Sequence, residues 1–243
     1  DHSDTEAKLA NQGLQLFFFV CCRLGGAPLW RAETLMMIKR ELEYFLGAIR
    51  FFTRLPVPQW VGHSSEALER SARYFPTVGL LVGAIAAAVF VLSSFFWPKT
   101  LAVLAAMAIT LYITGAFHED GWSDMVDGFG GGWEKAQILT IMKDSRIGSF
   151  GAVALVILLL TKFCALVEID LYQIPLALLA GHTLSRFCAT GLLRALDYVR
   201  DEGKAKPLAV RISAGGLLLA AALALAPFIW LKLPALLWLA VLP

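Results

Sequence analysis

Long apolar runs separated by short polar segments make up most of the chain after residue 75. A run of about 20 apolar residues is long enough to cross the hydrocarbon core of a bilayer as a helix. Between the first two runs, Trp97-Pro98-Lys99 suits a tight turn at the membrane surface. The pattern predicts spanning helices over residues 76–97, 99–127, 149–167, 174–193 and 212–231.

The second of these runs is longer than a bilayer requires. A continuous helix over residues 99–127 would extend roughly 43 Å at about 1.5 Å per residue, against about 30 Å of hydrocarbon. We therefore expect its last turns to emerge into the headgroup region, where acidic residues follow His118. A short interfacial helix is predicted over residues 133–143, and the last run, 233–243, is too short to cross.

The segment before the first span is amphipathic rather than uniformly apolar. Residues 38–52 mix apolar side chains with lysine, arginine and glutamate, which predicts a helix lying on the membrane surface. Pro56 and Pro58 prevent its continuation. The pattern divides the chain into an N-terminal extension of unknown role, residues 1–36, and a membrane-embedded domain, residues 37–243.

The composition agrees with this plan. The chain is 58% apolar and 16% charged, with a mean hydropathy of +0.67, whereas soluble domains are nearer half apolar and a quarter charged. The net charge of +2 and the lack of a dense basic tract argue against nucleic acid as a partner. Four cysteines without a CxxC pair argue against zinc or a disulfide framework. The predicted fold class is all-α, a polytopic helix bundle whose lipid partner is the bilayer.

Lysine and arginine are distributed unequally between the two predicted sides of the membrane. Segments 38–73, 118–146 and 194–211 hold six, three and five of them, whereas the other side holds about three, among them Lys162 near a helix end. Because positive charge accumulates in cytoplasmic loops, the acidic segment after His118 is predicted to face the cytoplasm. Nucleotides and magnesium are available on that side.

Three aspartates stand at positions i, i+4 and i+7, where the long apolar run ends: Asp120, Asp124 and Asp127. On a helix this spacing places the three carboxylates within an arc of about 60°. Like charges at such separations repel unless a cation lies among them, and carboxylate oxygens are ligands that Mg²⁺ prefers. The three residues are therefore predicted to bind Mg²⁺, which can in turn hold a diphosphate. A solvated acidic face is the alternative.

A second polar cluster, around Asp144 and Arg146, precedes the third predicted span. Asp144 suits a fourth carboxylate or the base that deprotonates an attacking hydroxyl, and Arg146 suits a bidentate clamp on a phosphate. The structural alternative is that Asp144 or Ser145 caps the next helix while Arg146 extends to the interface. We favour the functional interpretation because the segment returns to the face that carries the aspartates.

Three further polar residues are candidates for substrate contact. Arg186 lies within an apolar run, where an arginine should face the bundle interior and needs an anion, either substrate or one of the carboxylates. His118 either hydrogen-bonds an aspartate or substrate, or is an interfacial polar residue. Arg54 suits neutralisation of a phosphate, with a positive-inside residue as the alternative.

Gly130 to Gly132 either present amides to phosphate or end the long helix.

At this point the chain resembles the cobalamin synthase family, also called adenosylcobinamide-GDP ribazoletransferases. The resemblance covers residues 37–243, with the motifs in the expected order. It rests on Phe51–Pro58, Phe75–Gly83, His118–Gly128, Met142–Gly151, Ser185-Arg186 and Asp201–Gly203.

The resemblance implies a multi-pass inner-membrane enzyme of cobalamin biosynthesis with its active site at the cytoplasmic face. Its substrates would be adenosylcobinamide-GDP and α-ribazole or α-ribazole 5′-phosphate, and its products adenosylcobalamin, or its phosphate, and GMP. The resemblance leaves open a homo-oligomer or contacts with other corrinoid-pathway enzymes. Such proteins usually continue through another span carrying Gly-Asp and Leu-Gly-Ala, so we expect the chain to be truncated at Pro243.

Two other functions remain open. The spacing Asp124-x-x-Asp127-Gly128 resembles the CDP-alcohol phosphotransferases, which act on lipids with the same metal chemistry, although Gly130-Gly131 replaces the Ala-Arg of that class. A cation transporter would place its carboxylates near the bilayer midplane within broken helices. The aspartates are predicted at a helix end, which favours the transferase.

Overall fold

The computed structural model describes residues 29–62, 64–197, 199 and 212–230, and the regular structure in these ranges is helical. The all-α fold class is therefore confirmed for the described residues. The segment Asp201–Gly203 and the run 233–243 lie outside them. The helices are α1 Leu29–Phe52, α2 Ser65–Ser71, α3 Phe75–Ser94, α4 Lys99–Thr114, α5 Phe117–Gly131, α6 Lys135–Ile141, α7 Ser149–Glu168, α8 Ile174–Ala195 and α9 Ala214–Trp230, with a 3-10 turn, Ala72–Tyr74, between α2 and α3.

Within the part of the chain that the structure describes, three helical segments are long and apolar enough to cross a membrane: Glu66–Ser94, Ser149–Glu168 and Ile174–Ala195. The bent pair of α4 and α5 raises the number to four if the two helices form one span. These segments confirm the spans predicted over residues 76–97, 149–167 and 174–193, with small shifts at their ends. At the run predicted over 212–231, the described residues contain the helix α9, which is apolar but shorter than the three candidate spans.

The N-terminal amphipathic helix starts earlier than predicted. Helix α1 begins at Leu29, so it crosses the boundary drawn at residue 36. Its last turns pack into the bundle, where Ala48 and Phe52 are buried against Phe75 and Val78 of α3. The end of α1 is thereby anchored beside the first residues of a spanning helix.

Helix α3 lies at the centre of the bundle, in close contact with α8. A Cβ atom at Gly79 would meet the backbone carbonyl of His182, and one at Gly83 would lie 2.9 Å from the carbonyl oxygen of Leu178. Glycines four residues apart allow two helix backbones to approach where a larger residue would separate them. This contact fixes α8, and with it Arg186, against α3.

Replacing Gly79 by alanine is expected to destabilise the bundle by about 1–3 kcal/mol, because the added methyl group overpacks the contact between α3 and α8. The apparent Tm in detergent should fall. Gly181→Ala is the matched control on α8, since a Cβ at that position meets nothing within 4 Å. Its better helix propensity should leave the Tm unchanged or raise it. Equal Tm values for Gly79→Ala and the wild type would contradict the close packing.

The prediction of a continuous helix over residues 99–127 is wrong. Gly115 and Ala116 both adopt left-handed backbone conformations, with φ of 65° and 55°, and α4 and α5 meet at a bend of 84°. The Ala116 N–H donates to the Leu111 carbonyl at 2.9 Å, which ends α4 in a left-handed cap. The chain after α1 supports this break, because the Arg54 N–H donates to the Ile113 carbonyl at 2.7 Å. The aspartates therefore lie on a helix of their own.

Candidate active site

Helix α5 lies along α7 in the opposite direction. Near its C-terminal end, Asp127 contacts Gly148 and Gly151 at the start of α7. Towards its N-terminal end, the charge of Glu119 interacts with that of Lys162, more than two turns further along α7. Asp120 and Asp124 lie between these two contacts.

Both oxygens of the Asp127 carboxylate contact the start of α7. Its Oδ2 accepts the Gly148 N–H at 2.8 Å, and its Oδ1 accepts the Gly151 N–H at 2.8 Å. The first amides of a helix have no partner inside the helix, so this carboxylate caps α7 from a neighbouring helix. The structural alternative considered for Asp144 and Ser145 is wrong, because Gly148 occupies the N-cap position of α7 and the capping oxygens come from Asp127.

Asp120 and Asp124 lie on the same arc as Asp127. Asp120 is exposed, whereas Asp124 and Asp127 are both half-buried. Across the described ranges, no three His, Cys, Asp or Glu side chains converge closely enough to hold a metal ion between them. The oxygen donors still suit Mg²⁺, because this ion usually binds one or two carboxylates and completes its shell with water and substrate phosphates.

The segment with Asp144 and Arg146 does return to α5, as predicted, because Gly148 is held by Asp127. Asp144 and Arg146 form an exposed bidentate pair, with Nε to Oδ1 at 3.0 Å and Nη2 to Oδ2 at 2.6 Å. These hydrogen bonds lower the pKa of Asp144 to about 2. Paired in this way, Asp144 is ionised at neutral pH and is a weak proton acceptor.

Arg186 is buried in the bundle interior, with 2% of its surface exposed. Its Nη1 donates to the His182 carbonyl at 3.0 Å, and its guanidinium lies 5.5 Å from the centre of the Phe52 ring. Its Nε has no hydrogen-bond partner among the described residues. Its charge interacts with that of Glu119. Whether substrate or a carboxylate is the anion that Arg186 binds stays a prediction.

The end of α1 and the start of α5 meet beside this guanidinium. The Phe52 ring stacks on the His118 ring, with centroids 5.6 Å apart and an angle of 11° between the planes. The Arg54 side chain lies over Gly115, at the break between α4 and α5. Arg186, His118 and Arg54, predicted separately from the sequence, are thus brought to one region at the N-terminal end of α5.

Three neighbours of Arg186 were missed by the sequence analysis: Glu119, Lys162 and His182. The charges of Arg186 and Lys162 both interact with Glu119, and both lie near His182. Lys162 had been placed near a helix end on the outer side, but it is half-buried within the bundle. Its position inside an apolar run was the available signal, since an ionisable residue at membrane depth is usually functional.

The glycines after Asp127 have a packing role. Gly130 and Gly131 belong to α5, and a Cβ at Gly130 would lie 2.7 Å from the Phe150 ring. A Cβ at Gly132 would lie 2.7 Å from a side-chain carbon of Ile138 in α6. The end of α5 is therefore in close contact with both α6 and α7, and it is the packed end of a helix rather than a flexible stop.

Comparison with known proteins gives a consistent result. The family described as cobalamin-5-phosphate synthase matches residues 44–243. An adenosylcobinamide-GDP ribazoletransferase of Shewanella amazonensis is 52% identical over 176 residues, which cover 70% of this chain and 68% of the relative. The enzyme of the same name from Shewanella woodyi is 48% identical over 178 residues, covering 71% and 69%. No solved structure matches the chain significantly.

Proposed function

Since this chain belongs to the cobalamin-5-phosphate synthase family, we propose that it transfers adenosylcobinamide phosphate from adenosylcobinamide-GDP to α-ribazole or α-ribazole 5′-phosphate and releases GMP. The relatives that carry the name of this reaction are about half identical to it over 176 residues. The observation that carries the proposal is the site itself: helix α5 has an arc of carboxylates, and beside its N-terminal end the buried Arg186 and the half-buried Lys162 form a cationic group, called the cationic pocket below.

The cationic pocket is proposed to bind the diphosphate of the substrate. Arg186 and Lys162 carry two positive charges there, and Glu119 balances one of them. An unbalanced charge in a low-dielectric interior is costly, so an anion is expected to complete the pocket. The Nε donor of Arg186 is available to it. His118 and Arg54, at the mouth of the same region, are proposed as further contacts.

In the proposed reaction, the ribose 3′-hydroxyl of α-ribazole attacks the phosphorus attached to cobinamide. A new phosphorus–oxygen bond forms, the bond to the bridging oxygen breaks, and GMP leaves with the electron pair. The hydroxyl proton passes to Asp144 or to an aspartate of the arc. Arg146 and Arg186 balance the charge on the phosphoryl group. When Arg146 turns from Asp144 to a phosphate, the pKa of Asp144 rises and the carboxylate becomes a better base.

Mg²⁺ is proposed as the cofactor, held by carboxylates of the acidic arc together with phosphate oxygens. Bound there, it would supply positive charge to the diphosphate. The protein's own contribution is to orient the two phosphates between the arc and the cationic pocket.

We also propose that the arc faces the cytoplasm at the inner membrane. The segments assigned to the cytoplasmic side hold fourteen lysines and arginines, the sum of the six, three and five counted above. Lys162 was counted among the positive residues of the opposite side, but it lies inside the bundle. Without it, the excess of lysine and arginine on the cytoplasmic side is larger.

The direct test is product analysis with the protein in lipid nanodiscs. Adenosylcobinamide-GDP, α-ribazole and Mg²⁺ should give GMP and a corrinoid nucleotide product in equal amounts, detected by liquid chromatography and mass spectrometry. A CDP-linked lipid with an alcohol acceptor is the parallel arm and should give no CMP. A cation transporter would have broken helices near its carboxylates, and α4 and α5 are such a break. The third arm therefore measures cation flux into liposomes that contain the protein, without nucleotide. CMP release or flux in the absence of GMP formation would overturn the proposal.

A further inference from the structure

Asp127 connects the two polar motifs of this chain. Its carboxylate receives the amides of Gly148 and Gly151, both at 2.8 Å, and so ties the start of α7 to the acidic helix α5. Gly148 follows Arg146 by two residues. The contact therefore also fixes the position of the segment that carries Asp144 and Arg146.

The two glycines of the second motif are explained by this contact. A Cβ at Gly148 would lie 2.7 Å from the carboxyl carbon of Asp127, and a Cβ at Gly151 would lie 2.8 Å from the same atom. A Cβ at Gly151 would also meet the hydroxyl of Ser123, which is buried on the same side of α5. Only glycine at both positions allows the carboxylate to reach both amides.

Asp127 thus differs from Asp120, which is exposed on the same helix. Both oxygens of Asp127 accept hydrogen bonds from a helix N-terminus, where the dipole further favours the negative charge. A carboxylate held in this way has a structural task that Asp120, exposed on the same helix, does not share. Mg²⁺ needs only one or two carboxylates when phosphates complete its shell.

We propose that Asp127 is a positioning residue, which holds the Asp144–Arg146 segment against the acidic arc, and that Asp120 and Asp124 are the side-chain ligands of the cation. This refines the role predicted for Asp127 as a third ligand, and it rests on the proposed function. Loss of Asp127 should lower kcat by releasing the segment, while the binding of the cation itself should change little.

The first experiment follows the segment without using activity. Hydrogen–deuterium exchange of the full chain in nanodiscs should show the amides of residues 144–151 exchanging at least tenfold faster in Asp127→Asn and in Gly151→Ala. Asp124→Asn should leave that exchange unchanged. Unchanged exchange in Asp127→Asn, or equal acceleration in Asp124→Asn, would overturn the proposal. This readout stands even if no GMP is formed, so it separates the inference from the proposed function.

The second experiment titrates Mn²⁺ alone, followed by electron paramagnetic resonance. Asp127→Asn should bind Mn²⁺ within about twofold of the wild type, whereas Asp120→Asn and Asp124→Asn should bind at least tenfold more weakly. Equal losses in all three variants, or no Mn²⁺ binding by the wild type, would overturn the assignment of the ligands. Gly151→Ala should reproduce the fall in kcat without removing a carboxylate. Gly121→Ala on α5, where a Cβ meets nothing within 4 Å, should behave as the wild type.

Discussion

Asp124→Asn is expected to abolish GMP release, reducing kcat by at least 1,000-fold, or about 4 kcal/mol of transition-state stabilisation. The substitution keeps the size of the side chain but removes the charge that we propose holds Mg²⁺ beside the diphosphate. Asp124 is half-buried on the arc, one helical turn from Asp120. The assay is GMP formation from adenosylcobinamide-GDP and α-ribazole over a range of Mg²⁺ concentrations.

The matched control is Asp170→Asn, an exposed aspartate in the turn between α7 and α8. It should leave kcat unchanged, because that turn lies at the opposite end of α7 from the Asp127 cap. The level of Asp124→Asn inserted in the membrane and its apparent Tm should also match the wild type. Turnover within about tenfold of the wild type would show that the charge of Asp124 is not required, and the metal assignment would fail.

Arg186→Met is expected to lower kcat/KM by at least 100-fold, or about 2.7 kcal/mol, because it removes the buried donor proposed to bind the diphosphate. The same change should leave the apparent Tm equal or higher. A buried guanidinium has a desolvation cost, and methionine of similar length fills the space without it. Opposite effects on activity and stability are the signature of a functional charge.

Arg186→Lys separates charge from geometry. Lysine keeps the positive charge but lacks the planar set of donors, so it should recover part of the lost affinity and little of kcat. Steady-state kinetics and the affinity for GDP, measured on each variant in nanodiscs, provide the comparison. A large fall in Tm for Arg186→Met, with unchanged kinetics in the remaining folded protein, would instead assign the residue to packing against Phe52 and His182.

Much of the fold could be predicted from the sequence because membrane helices are set by local composition. The length of the apolar runs alone predicted α3, α7 and α8, and glycine and proline residues indicated where several of these helices end. The break between α4 and α5 could not be predicted in this way. Gly115 permits a left-handed conformation, but Ala116 adopts one as well, and that conformation is supported by the end of α1, more than 50 residues earlier in the chain.

The candidate site was likewise predictable only in part. The spacing of Asp120, Asp124 and Asp127 predicted a shared helical face, and all three do lie on α5. Their different roles were not predictable, since the capping of α7 depends on where Gly148 arrives after the intervening chain has folded. Lys162 was counted with the outer loops for the same reason, because the burial of a single lysine depends on which helices surround it.

The order of residues along this chain determined its class, its spanning segments, its acidic arc and the family to which it belongs, since each of these depends on residue type and short-range spacing. Only the tertiary structure decided which charges meet. The pocket of Arg186, Lys162 and Glu119 and the link from Asp127 to α7 both form between helices distant in sequence. Such contacts arise from the packing of whole helices, which a local pattern does not encode.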